Sequence, residues 1–459
     1  MKIYNSLTKK IVDFEPINPP QVTFYSCGPT VYDYNHIGHM RKYVGDDILI
    51  RTLRYFDYHP KTVMNITDVG HLVSDADEGQ DKMEKGAKKH GLSVWQVAEK
   101  FTKQFFASTK ALNIEMPHTI AKATDHIKEQ VELIKELESK GYTYQIDDGV
   151  YFDTSKFGDY GQLSSLDSAG MKEGARVKSN LQKRNSTDFA LWKFNTTGKK
   201  REMEWQSPWG VGFPGWHIEC SAMSMKYLGH QFDFHTGGVD HKEIHHPNEI
   251  AQSEAATGVS PFVKYWVHHE FLMVDSHKMS KSLGNLFTVQ DIIDRGIEPL
   301  ALRYLFLTTH YRKQLNFTWD ALESAQQSLS KMRQALVRAG DSTDNNQLKP
   351  KSYEEKFEKS LADDLNLPEA LATTWEVVKS GLPAAIKKQL ITKFDTVLGL
   401  SLVDSSQLPI PSEVHQLFEN RNLLRKEGKF KEADKARLEI EKAGFLIEDN
   451  SKGSRLIKK

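Results

Sequence analysis

Two short clusters in this chain carry groups suited to handling phosphate. His36-Ile37-Gly38-His39 offers two imidazoles, and far downstream Lys278-Met279-Ser280-Lys281-Ser282 offers two ammonium heads. Imidazoles can donate to phosphate oxygens, and lysines neutralise the charge that builds on a departing phosphate. Ser280 and Gly284 leave the lysine loop little to pack with, which suits closure during a reaction. A second set is of metal-ligand type. The chain has only 2 cysteines, and both Cys27 and Cys220 stand in loop stretches with other unusual residues. Zinc accepts thiolate, imidazole and carboxylate in a tetrahedral shell. His241, His245, His246, His268 and His269 are the imidazoles within sequence reach, and Glu249 follows His245 by one helical turn. Pro247 reads as the opening of a helix, leaving His245 just outside it and Glu249 in the first turn.

These side chains need elements to hold them. Val22–Tyr25 has strand character and stops at Cys27-Gly28-Pro29-Thr30. Val44, Ile48, Leu49, Leu53 and Phe56 predict a helix over 41–56, and Thr62–Ile66 predicts a second strand. Strand, loop, helix and strand in that order imply a parallel, doubly wound α/β sheet with its ligand beyond the strands' carboxyl ends. Residues 231–240 read as a strand ended by a Gly237-Gly238 turn, where backbone can approach a nucleotide. Residues 119–204 read as an insertion whose tip, within 157–185, holds too little apolar content to pack and is expected to be mobile. Helical stretches follow at 292–307, 322–337, 353–365 and 371–400, with polar breaks at 342–351 and 404–411 as linkers. Residues 412–459 form a small unit with a helical-hairpin pattern and a β-like end at Phe445–Ile447, expected to lean on a neighbouring surface.

The totals narrow the class. A chain of 459 residues suggests about three domains. Lys plus Arg and Asp plus Glu both count 61, which excludes a uniformly basic nucleic-acid binder and leaves local patches, such as the tail at 452–459. No secretory apolar region and no run of about 18 apolar residues predict neither leader nor membrane span. So few thiols point to the reducing cytoplasm.

Tyr25–Asp33 (YSCGPTVYD), Asn65–Asp68 (NITD), Asp188–Lys193 (DFALWK), Pro208–Met223 (PWGVGFPGWHIECSAM), His245–Ser253 (HHPNEIAQS) and Lys278–Thr288 (KMSKSLGNLFT) together resemble the cysteinyl-tRNA synthetases, a class I aminoacyl-tRNA synthetase family. The resemblance spans about residues 2 to 457. It implies an α/β fold: a Rossmann-type catalytic core with an insertion domain, then an α-helical bundle and a small C-terminal anticodon-binding domain. The implied division is core 1–115, insertion 116–204, second core half with the lysine loop 205–290, stem-contact region 291–320, helical bundle 321–403 and anticodon unit 412–459. Carried over residue by residue, the catalytic groups would be His36, His39, Lys278 and Lys281, with Thr30, Gly237 and Asp240 added for ATP. Cysteine would meet Gly28, Thr67, Trp216, His235 and Asp240. The anticodon would meet Asp434, Arg437 and Asp449. One Zn²⁺ per chain would sit on Cys27, Cys220, His245 and Glu249, and family grounds alone favour His245 over its neighbours. ATP would enter with Mg²⁺, the partners would be tRNA(Cys), L-cysteine and ATP, and the chain would act as a cytoplasmic monomer. Two departures stand out: HHPNE replaces the family's usual HHENE, and a longer segment at 69–91 replaces a DDKI run.

The implied reaction forms cysteinyl-adenylate and then passes the cysteinyl group to the terminal ribose of the tRNA. A ligase joining cysteine to an amino sugar shares the core but lacks the unit that 412–459 resembles. A non-catalytic nucleic-acid binder would have no need of two phosphate-handling motifs.

Overall fold

The computed structural model describes residues 1–70, 81–164, 180–196, 201–280, 283–338, 350–403, 412–450 and 453–458. Lys281, residues 165–179 of the segment 157–185 whose tip is expected to be mobile, and most of both linkers lie outside the described residues.

The chain opens with a hairpin, β1 (Lys2–Asn5) against β2 (Lys10–Asp13). In β3 (Gln21–Ser26) the run Phe24, Tyr25 and Ser26 is buried without alternation, the pattern of a strand covered on both faces. α1 (Ile37–Tyr55) and β4 (His59–Ile66) follow. The helix starts four residues earlier than its apolar spacing suggested, because the His36 side chain accepts from the His39 N–H and caps it. The segment after Asp68 is not all loop. Asp81 accepts from the N–H groups of Met83 and Glu84 and starts α2 (Lys82–His90), which ends at Gly91 with φ 64°. α3 (Val94–Ala111) leads to β5 (Thr119–Lys122).

α4 (Ile127–Ser139) precedes an antiparallel sheet of β6 (Thr143–Ile146), β7 (Gly149–Phe152), β8 (Phe189–Phe194) and β9 (Gly212–Pro214). α5 (Trp216–Leu228), β10 (Phe232–Gly238), α6 (His245–Thr257) and β11 (Val263–His269) return the chain to the core. The core sheet has the order β11-β10-β3-β4-β5, and every pairing in it is parallel. From β3 the chain moves outward through β4 and β5, then back to the other side through β10 and β11. The strand order therefore switches between β3 and β10, where a doubly wound sheet opens a crevice.

β5 pairs with β4 in the core sheet, and β9 pairs with β8 in the antiparallel sheet. Two expectations about the site need correction. Gly237 and Gly238 are strand residues of β10, not a turn. Pro247 does not open α6: the helix begins at His245 with Ile244 before it. Proline is tolerated there because first-turn N–H groups have no intrahelical acceptor.

Beyond the core, β12 (Leu272–Val274) pairs antiparallel with β13 (His277–Lys278). α7 (Val289–Asp294) and α8 (Pro299–Leu307) lead to β14 (Leu315–Phe317), which pairs parallel with β12. Four helices then pack together: α9 (Trp319–Arg338), α10 (Pro350–Ala362), α11 (Leu367–Lys379) and α12 (Ala384–Leu398). The single stretch expected over 371–400 is two helices, broken where Pro383 precedes α12. The last unit is α13 (Ser412–Lys426), α14 (Phe430–Lys442) and the hairpin β15 (Phe445–Asn450) with β16 (Gly453–Lys458). Arg303 ties the helices to the core: fully buried, it donates to Asp47 Oδ2 at 2.6 Å, to the Leu398 carbonyl at 2.7 Å and to that of Leu112 at 3.0 Å. Among the described residues no helix is long and apolar enough to cross a membrane.

Candidate active site and metal centre

Four parallel strands deliver their carboxyl ends to one cavity. Cys27 follows β3, Thr67 follows β4, Gly238 ends β10 and His269 ends β11, and all four line a cavity of about 420 Å³. His36, His39 and Lys278 complete the opposite wall, with Gly28, Thr30, Trp216 and Asp240 also facing in.

The floor is a knot of thiols and imidazoles. Cys27, Cys220 and His245 each offer a ligand atom within 4.8 Å of the others, and none is more than 4% exposed. The hydrogen bond with Cys220 holds the Cys27 thiol well below the ordinary range against the opposing effect of burial. The same bond, with burial, pushes Cys220 well above it; one of the pair is thus readily a thiolate. His245 Nδ1 lies 2.9 Å from His217 Nδ1, so its Nε2 is the atom left for the centre. Burial opposes its charge, yet Glu249 and Cys27 raise it to about 10. His245 Nε2 stands 3.0 Å from Glu249 Oε1, and both atoms are buried without an aligned hydrogen bond. Glu249 Oε2 is 2.9 Å from His235 Nε2, and Glu249 groups with His235 and His246 rather than with the thiols. Buried thiols with one ionised member, and orphaned imidazole and carboxylate atoms, form a donor set that fits zinc.

Glycines make room for this crowding. A methyl on Gly28 would stand 1.7 Å from the Asn65 carbonyl oxygen, and one on Gly237 would stand 2.6 Å from the His246 ring. Gly237 thus accommodates imidazoles, while its neighbour Gly238 faces the cavity. His235 lies beneath the wall, stacked on Trp266 with centroids 4.6 Å apart. Thr67 Oγ1 donates to Glu219 Oε2 at 3.0 Å. The Trp216 ring lies 4.3 Å from that of His245.

The rim is of a different make. His36 and His39 stack with centroids 3.6 Å apart. Asp240 has a side chain 60% exposed, and Lys278 is exposed on β13. A methyl on Gly38 would meet Met279 Sδ at 3.0 Å, so the glycine between the histidines leaves room for Met279. The Phe287 carbonyl, at the far end of that loop, accepts from the Ile37 N–H at 2.8 Å.

Sequence reasoning overlooked Arg41, Lys42 and Lys82. Lys82 reaches the cavity from α2, its ammonium 5.0 Å from the Trp216 ring. Arg41 and Lys42 are buried at 5% and 8% exposure; the available signal was two cations immediately after the histidines on a helix otherwise rich in apolar residues. The anticodon candidates all lie on the last unit. Asp434 is exposed on α14, and Arg437 one turn later pairs with Glu441 at 3.2 Å. Asp449 accepts from Arg421 and Arg425 at 2.6 and 2.7 Å, contacts that hold its carboxyl well below the usual range.

Comparison with known proteins agrees across the whole length. A family described as "tRNA synthetases class I (C) catalytic domain" matches residues 13–327, and "Cysteinyl-tRNA ligase anticodon binding domain" matches residues 409–455. The chain is 47% identical to cysteine–tRNA ligase 1 of Burkholderia lata, covering 99% of this chain and 96% of that protein. It is 40% identical to the cysteine–tRNA ligase of Treponema denticola, covering 98% of each. Among solved structures, a Mycobacterium tuberculosis methionyl-tRNA synthetase in complex with methionyl-adenylate superposes with a TM-score of 0.55 at 15% identity, over 83% of this chain and 90% of that one. An Agrobacterium radiobacter K84 LeuRS in a ternary complex with tRNA gives 0.59 at 11%, over 85% and 84%. At such identities these two carry the class I fold.

Proposed function

The chain belongs to the cysteinyl-tRNA ligase family and joins cysteine to tRNA, and from that premise we propose how its own residues divide the work. The observation that carries the reading is the meeting of Cys27, Cys220 and His245 within 4.8 Å on the floor of a cavity rimmed by His36, His39 and Lys278.

Cys27, Cys220, His245 and Glu249 would hold zinc. When bound, it supplies a soft centre that accepts a substrate thiolate far better than a hydroxyl. Gly28, Thr67 and Trp216 shape the slot beside it, and the Asp240 carboxylate at the rim faces the substrate ammonium. His235 acts through Glu249, which it holds in place. A site built around one group rejects an analogue lacking it by about 10⁴, which makes a separate hydrolytic correction site unnecessary.

In the first step the cysteine carboxylate attacks the α-phosphorus of ATP, and pyrophosphate leaves. His36 and His39 donate to the phosphate oxygens, while Lys278 and Lys281 meet the departing charge. Thr30 and Asp240 flank the nucleotide, with Gly237 admitting the imidazoles behind it, and Mg²⁺ accompanies the phosphates. In the second step a hydroxyl of the terminal ribose of tRNA attacks the adenylate carbonyl, and AMP leaves. Asp434, Arg437 and Asp449 present hydrogen-bonding groups to the anticodon. We assign 1–122 and 215–290 to the core, 123–214 to the insertion, 291–320 to stem contact, 321–403 to the bundle and 412–459 to the anticodon unit. The chain is taken as a cytoplasmic monomer, both its thiols being committed to the site rather than to disulfides.

Pyrophosphate exchange into ATP, measured with cysteine and with serine on protein of known zinc content, tests this reading. Exchange with cysteine alone at one zinc per chain is expected. Folded, zinc-loaded protein that exchanges with no amino acid overturns it.

A further inference from the structure

Arg41 and Lys42 are consecutive residues on α1, immediately behind the His36–His39 turn, and both are buried. Their side chains leave the helix in different directions. Arg41 Nη1 donates to the carbonyls of Glu270 at 2.9 Å and Phe271 at 2.7 Å. Its Nη2 donates to the carbonyls of His310, at 3.3 Å, and Lys313. These four carbonyls belong to two segments, the end of β11 running into β12 and the turn before β14. The same segments bond directly to each other, Glu270 N–H to Tyr311 O at 2.9 Å and Leu315 N–H to Phe271 O at 3.3 Å. Together they are the base of the small sheet whose outer strand, β13, carries Lys278.

Lys42 Nζ turns the other way. It donates to the Cys27 carbonyl and to Ser26 Oγ, each at 2.7 Å, and lies 2.8 Å from Asp46 Oδ2. Asp46 in turn accepts from Ser26 Oγ at 2.6 Å and contacts His269 Nε2 at 3.0 Å. A methyl on Gly45 would stand 2.2 Å from the His269 ring, so α1 is shaped to receive it. Burying a cation is costly unless its donors find partners, and the two terminal nitrogens of Arg41 together reach four backbone carbonyls.

Resting on the ligase reading, we propose that Arg41 and Lys42 are positioning residues that divide the site. Arg41 sets the distance from the two histidines to the Lys278 hairpin, and Lys42 sets the strand end that presents the Cys27 thiol. One helix turn thereby references both reaction ends to the same pair of imidazoles. Arginine suits the first task because its planar fork reaches several carbonyls at once, which a lysine cannot do.

The test uses the full, zinc-loaded chain with Arg41→Lys, Arg41→Met and Lys42→Met, each checked for folding by circular dichroism. For both Arg41 variants the expected result is a tenfold or larger loss in the ATP term of pyrophosphate exchange, with cysteine KM and zinc release to a chelator within twofold of the parent. Lys42→Met should raise cysteine KM tenfold and speed zinc release, with ATP KM within twofold. Amide hydrogen exchange gives a readout independent of activity: Arg41→Lys should loosen 270–278 and 310–317 but not 26–30, and Lys42→Met the reverse. Equal effects of all variants on both substrates, or amide exchange that rises uniformly or not at all, overturn the proposal. If the parent protein shows no exchange with any amino acid while the amide pattern holds, the ligase reading fails and the division of labour stands. Should Arg41→Met fail to fold, Arg41→Lys alone decides the first half.

Discussion

The floor and the rim of the cavity are built on opposite principles. Cys27, Cys220, His245 and Glu249 are almost wholly shielded, packed against other imidazoles, and held by glycines that admit no methyl. His39, Asp240 and Lys278 are exposed, and one of them stands on a two-residue strand that ends in the lysine loop. The difference fits the two tasks proposed for them. Telling a thiol from a hydroxyl needs a dry, rigid donor set, because any slack lets the poorer ligand adapt. Accepting a large triphosphate and releasing pyrophosphate needs a wall that can open.

Breaking the floor should have the largest effect. Cys27→Ser is expected to abolish stoichiometric zinc and cost about 10³ or more in kcat/KM for cysteine, with discrimination against serine falling in parallel; metal analysis beside exchange kinetics checks both. Zinc retained at one per chain with normal cysteine KM would refute the ligand assignment. Breaking the rim should leave the floor intact. Lys278→Ala is expected to lower the exchange rate by about 10²-fold, the size seen when one preorganised charge-stabilising group is lost, with zinc content and cysteine binding by calorimetry unchanged. A matching drop in cysteine affinity would show that the two ends are not separate.

The support beneath the floor is sensitive to acid. Burial alone would raise the Asp46 carboxyl, but Lys42 and His269 override it and bring it from 3.8 to about 2. The folded value lies below the unfolded one, so the stabilisation is full above about pH 4 and lost as pH falls towards about 2. That shift corresponds to about 2 kcal/mol. Asp46→Asn should therefore destabilise the chain by this order at pH 7 and by much less at pH 2, as denaturant titrations at both values would reveal. The smallest effect is expected at the seam between the two ends. In Gly38→Ala the new methyl first meets the flexible end of Met279 and the His36 ring, both at 3.0 Å. A rise of about threefold in ATP KM is expected, roughly 0.7 kcal/mol, with cysteine KM unmoved.

Much of this was legible in the chain itself. The strand before Cys27, the helix behind His39 and the strand over 62–66 follow from apolar spacing, because a parallel core strand and a buried helix must each present a long apolar surface. The two thiols and the paired phosphate-handling motifs identify the chemistry because few other tasks use them together. What spacing could not fix were contacts between distant segments. Pro247 was misread as a helix start because proline is acceptable anywhere in the first turn, and only the packing of α6 selects His245 as its beginning. Gly237 and Gly238 were misread as a turn because a sequence does not reveal that two imidazoles will press against a strand. Arg41 and Lys42 are singled out only by the fold, where carbonyls at 270–271 and 310–313 and the carbonyl of Cys27 close around them. Local propensity and residue type are properties of a segment and can be read from it. Burial of a charge is a property of the partners that gather round it, and only the folded chain brings them together.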